Sequence, residues 1–115
     1  MEVEYKNVKK GWPKDVISGL KISIAQFLKN YRYVKIGITN CPERRFTEHC
    51  NPNHSIKWQR MVVKYQTDSK DNANEVEKFF IDYEPRLKNR WPGYSNLSEF
   101  GPYFVYLILS GKRKK

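Results

Sequence analysis

Residues 34–50 read VKIGITNCPERRFTEHC, and the period of the sequence changes halfway along them. Val34, Ile36 and Ile38 alternate with Lys35, Gly37 and Thr39, which predicts a strand with one buried face. Asn40 and Cys41 then precede Pro42, whose missing N–H suits the first position of a helix. Glu43 follows in the first turn, where a negative charge is favourable against the helix dipole. Arg45 and His49 are four apart and share one helix face, and Phe46 and Cys50 can form the buried stripe. A short strand therefore runs into a short helix that carries an arginine and a histidine side by side.

Around this core the chain is a single domain, 1–115, long enough to bury a modest core without metals or disulfides. The formal net charge is +10 and the pI about 9.7, which favours a polyanionic partner, nucleic acid before a membrane surface. No apolar run approaches the ~20 residues of a membrane span. The first residues, MEVEYKNVKK, lack the apolar stretch of a secretion signal, so the expected location is cytoplasmic or nuclear, not secreted. Cys41 and Cys50 do not make a disulfide framework and are expected to be reduced.

Residues 1–11 are polar and expected to be loose. Val16, Ile17, Leu20, Ile24, Phe27, Leu28 and Tyr31 recur at helical spacing, which predicts an amphipathic helix over 12–30 with Pro13 at its start. Leu20, Ile22 and Ile24 also alternate with Lys21 and Ser23 as in a strand, and Gly19 weakens a helix, but the longer pattern favours one. Residues 51–54 form a loop. A strand is expected over 56–67, with Arg60, Lys64 and Gln66 marking its exposed face. A helix starts near Asn72, buries Ala73, Val76, Phe79, Phe80 and Tyr83, and ends or kinks at Pro85. Residues 103–110, YFVYLILS, are apolar on both faces, as in a central strand. Residues 111–115, GKRKK, read as a basic tail. The expected fold class is α+β: a small, mainly antiparallel sheet of about three strands flanked by about three helices.

The phrase KIGITNCPERRFTEH resembles the YIG half of the GIY-YIG nuclease superfamily, in which a strand reading YIGIT leads into a helix reading ERRxxEH. One position departs from that pattern: Lys35 stands where the family has the tyrosine of YIG, as in a branch that reads KIG. No GIY-like strand precedes Val34, whereas the last strand, YFVYLIL, is similar to the phrase with which many small members open. The resemblance thus implies a circular permutation in which 103–110 pairs with 34–39. The helix over 12–30 would be an addition or a replacement.

The resemblance implies metal-dependent hydrolysis of DNA phosphodiesters, with RNA the other candidate polymer. Tyr106 takes the place of the GIY tyrosine, a positioned phenol that orients or deprotonates a water. Tyr103, in Gly101-Pro102-Tyr103, is the second choice. The two are three apart in a strand, so they face opposite ways. Arg45 matches the arginine that binds the phosphate, and His49 matches the histidine of EH. Glu77 matches the glutamate that holds the metal, Mg2+ or Mn2+. Independently, it borders a buried stripe, where a carboxylate needs a partner. Glu75 is the outside candidate, and Asn96 resembles a late asparagine of some members.

Lys35 could bind the phosphate, act as a base beside Arg45, or mark a domain that lost catalysis and kept binding. Arg44 points roughly 100° away from Arg45, toward solvent, Glu48 or nucleic acid. The nucleic-acid contacts expected are Lys35, Arg44, Arg45, Arg60 and Lys64. A zinc site from Cys41, His49, Cys50 and His54 has suitable residue types, but the two cysteines would lie ~13 Å apart at opposite ends of the helix. The alternative function is a nucleic-acid-binding domain without catalysis on the same scaffold. A protein-interaction module is the more distant one.

Overall fold

The computed structural model describes residues 3–51, 56–87 and 97–113. In chain order the elements are β1 (Val3–Glu4), α1 (Pro13–Asn30), β2 (Tyr31–Thr39), α2 (Pro42–His49), β3 (Arg60–Thr67), α3 (Lys70–Tyr83) and β4 (Tyr103–Lys112). They make an α+β domain with one sheet of order β1-β3-β4-β2. β4 is antiparallel to both of its neighbours, and β1 lies parallel to β3.

β4 is central because it is apolar on both faces. Tyr103, Val105, Leu107 and Leu109 join the larger core beneath α1 and α3, together with Val34, Ile36 and Ile38 of β2. Tyr106 and Ile108 point the other way and pack with Phe46 of α2, Trp58, Met61 and Val63. The expected pairing of the last strand with the KIG strand is present over its whole length, with Gly37 opposite Tyr106 and Lys35 opposite Ile108. The pairing extends to Tyr31 opposite Lys112, and Arg113 N donates to Asn30 O at 2.8 Å. The end of β4 therefore lies beside the start of β2.

The three helices follow their apolar periods, except that Tyr83, expected in the buried stripe of α3, is exposed and stacks on Phe79. α1 buries Val16, Leu20, Ile24 and Leu28 and passes into β2 without a loop. α3 starts two residues before the expected Asn72, because Ser69 caps it by accepting from Asn72 N. It ends at Tyr83, ahead of Pro85.

Several expectations are corrected. Residues 1–11 are not uniformly loose. Val3 and Glu4 add a fourth strand beside Met61 and Val62, and Lys9 exchanges backbone hydrogen bonds with Lys64 and Gln66. Residues 56–59 are not part of β3, although Gln59 N still donates to Leu109 O and Ser110 donates its hydroxyl to Lys57 O. Lys64 is not on an exposed face. The register shifts between Val63 and Tyr65, and Lys64 is buried with its ammonium on Lys6 O at 3.2 Å. Residues 111–112 continue β4 rather than starting a tail. No described helix is long and apolar enough to cross a membrane.

Candidate active site

The site grows from one cross-strand pair. Opposed residues of an antiparallel pair project from the same face, so Tyr106 stands beside Gly37. The missing side chain at Gly37 is where the phenol lies: a Cβ there would sit 2.4 Å from the Tyr106 oxygen and 2.5 Å from Cζ. α2 begins immediately after β2 because Pro42 fixes its first turn, and it crosses this same face, with Phe46 anchoring it in the smaller core. Positions 45 and 49 of α2 then meet the phenol. His49 Nε2 is 2.8 Å from the Tyr106 hydroxyl oxygen, and Arg45 Nε donates to that oxygen at 3.4 Å. The Trp58 ring also meets His49 edge-on, with centroids 6.3 Å apart.

Tyr106 and His49 are almost fully buried, at 2 % and 4 % exposure, while Arg45 and Lys35 remain partly open to solvent. Burial pushes the Tyr106 pKa above its ordinary value. The Arg45 charge and hydrogen bond pull it back only in part, and the Glu77 and Glu48 carboxylates add to the rise. The phenol is therefore a hydroxyl that can donate one proton and accept from Arg45. With Nε2 of His49 as the acceptor, both bonds are satisfied at once. Burial works against the charge on Arg45 too, but Tyr106 and the Glu48 carboxylate, 3.2 Å from Nη1, more than offset it and raise its pKa. Lys35 is held below the usual lysine value by burial first and by Arg45 second, with Glu77 acting in its favour.

Glu77 is 2 % exposed on α3, which packs against β2, and its charge acts on both Lys35 and Tyr106. Glu75, the outside candidate, is exposed. Among the described residues no group of three His, Cys, Asp or Glu could hold a metal. A single buried carboxylate does suit a hard divalent cation that keeps most of its waters, which is how Mg2+ is commonly held. Glu77 is the buried carboxylate of α3 that could do so.

Three residues named from the sequence meet by direct contact, Tyr106, His49 and Arg45; Lys35 lies on the same face of β2 as Gly37, and Glu77 on α3 reaches Lys35 and Tyr106 only through its charge. Tyr103 does not join them. Its ring lies in the larger core and its hydroxyl donates to Ser98 O at 2.7 Å. Arg60 and Lys64 do not join them either. Arg60 holds Glu4 through two hydrogen bonds, donates to the Tyr31 hydroxyl and lies over the Phe27 ring. Arg44 is exposed on α2. Asn96 and His54 lie outside the described residues. Sequence reasoning missed Trp58, taken as part of a strand, and named Glu48 only as one of three possible partners of Arg44, whereas it pairs with Arg45. The i,i+3 spacing of 45 and 48 was the available signal. No family model, no curated protein and no solved structure matches the chain.

Proposed function

We propose that this domain is a metal-dependent endonuclease of the GIY-YIG type, circularly permuted, which hydrolyses phosphodiester bonds in DNA. The observation that carries the reading is the single phenol oxygen of Tyr106 held between His49 and Arg45. Each group has a task. Arg45, the partly open cation, meets the scissile phosphate and neutralises charge that develops on it. Tyr106 orients the attacking water, and on this reading His49 takes the phenol's proton as the phenol takes one from the water. Lys35 adds a second cation to the phosphate. Glu77 would hold Mg2+ or Mn2+, which supplies Lewis-acid stabilisation of the phosphoryl oxygens. The adjacency of Arg113 and Asn30 supports the permutation, since a short turn joining them would make β4 and β2 an ordinary hairpin.

A second reading, a nucleic-acid-binding domain without catalysis, is favoured by one specific observation. The β2 position that would carry a second phenol carries Lys35, and the remaining phenol is deeply buried. The discriminating experiment is plasmid nicking with Mg2+ or with EDTA, alongside DNA affinity, for wild type and Glu77→Ala. The nuclease reading expects nicking that chelation removes, a loss of at least ~10²-fold on Glu77→Ala, and nearly unchanged affinity. Retained binding with no metal-dependent nicking by the wild type sinks it in favour of the binder.

A further inference from the structure

Tyr33, Lys35 and Gly37 alternate along one face of β2, so the surface around Tyr106 continues toward the start of that strand. There, where β2 begins and β4 finishes, Arg32, Tyr33, Gly111, Lys112 and Arg113 line a cavity of about 580 Å³. Gly111 helps to shape it. Its φ is +71°, and a Cβ there would lie 3.0 Å from Arg32 Cβ and 3.3 Å from the Tyr33 ring. Among the described residues the lining holds three cations and no carboxylate. Among the described residues none of the three forms an ion pair, whereas Arg60 and Arg86 are each held by a glutamate. Three exposed like charges around a hollow repel one another, and a bound polyanion relieves that repulsion. The volume is that of a pocket for an organic ligand, larger than one phosphate needs. The aromatic ring in its wall offers a surface on which a nucleobase stacks.

We infer that this cavity is a second nucleotide subsite, which holds an unpaired nucleotide of the strand whose phosphate is bound at Arg45. Its base stacks on Tyr33 and its flanking phosphates lie on Arg32, Lys112 and Arg113. The inference rests on the nucleic-acid reading above and narrows it to a substrate class: a strand with a single-stranded segment. From Tyr33 to Gly37 the strand runs four residues, ~13 Å at ~3.3 Å per residue, which is the rise of about four stacked nucleotides. A base inside a duplex has no free face to give Tyr33, so a paired strand cannot use the cavity.

The test is fluorescence polarisation in EDTA with two DNA probes, a blunt duplex and the same duplex carrying an unpaired extension of about six nucleotides. Wild type is expected to bind the extended probe about tenfold more tightly, within the range one stacked base supplies. Tyr33→Leu should erase that difference and Tyr33→Trp should keep it. Because the Tyr33 ring also packs on the smaller core, a second variant removes only exposed charges. Arg32→Ala with Arg113→Ala should weaken the extended probe more than the blunt one and flatten its salt slope by about 0.7 per cation removed. Equal binding of both probes by the wild type, or equal losses on both probes in the double variant, overturns the subsite and leaves the nucleic-acid reading standing. Binding of neither probe at low salt removes both.

Discussion

A Cβ on Gly37 would lie 2.4 Å from the Tyr106 oxygen, inside any contact that real side chains make. Gly37→Ala therefore sets two effects against each other. Alanine stiffens the unfolded chain and gains ~0.5–1 kcal/mol in a strand. Forcing a methyl into a buried ring costs about 1–3 kcal/mol. The clash is with a phenol that is itself packed on all sides, so the second effect wins. Gly37→Ala is expected to lower stability in urea by about 1–2 kcal/mol and to pull the phenol off His49. Unchanged stability would mean that Tyr106 does not lie across Gly37. The residues of α2 were legible because helical spacing alone puts 45 and 49 on one face. Gly37 was legible only as a motif letter, since its reason, the ring of a residue far along the chain, is a tertiary contact. The choice between Tyr106 and Tyr103 depended on which face of β4 meets α2, which strand alternation leaves open.

Among the elements, the three helices and β2 follow from their periods, Tyr83 apart, and β4 follows from being apolar on both faces. β1 does not, because two residues carry no period. Its place is fixed by Glu4, which accepts from Arg60 Nη2 at 2.8 Å and from Arg60 Nε, and by the register shift that buries Lys64. The hydrogen bonds from Arg60 hold the Glu4 pKa below its ordinary value. A depressed carboxylate pKa contributes stability that is present above the unfolded-state value and lost as pH falls through the folded-state one. Both groups are partly solvated, so the contribution is modest, about 1 kcal/mol. Glu4→Gln should therefore lower the thermal midpoint at neutral pH by a few degrees, and the gap to wild type should close as pH falls below ~4. Thermal scans across pH check this. A gap that persists in acid would mean that β1 is held by something other than this pair.

At the scale of the whole molecule, a net charge of +10 pointed to a polyanionic partner, and alternation pointed to an α+β fold. Strand order did not follow from either. That the last strand pairs with the second was expected from its two-sided apolar character together with its likeness to a family phrase, and the register brings Tyr106 to Gly37 from far apart in the sequence. The strand pattern misled in one respect, since of the residues read as the exposed face of β3, Lys64 is buried on Lys6 O and Arg60 is held by Glu4. At the centre of the domain one oxygen atom, that of Tyr106, is shared by His49 and Arg45, and on the proposal this domain cleaves DNA. The direct measurement is Mg2+-dependent cleavage by Tyr106→Phe against wild type under single-turnover conditions, with DNA affinity measured in parallel. The account predicts that the wild type cleaves, that removing the hydroxyl lowers the rate at least ~10²-fold, and that affinity changes little. A Tyr106→Phe variant that cleaves as fast as the wild type would contradict it.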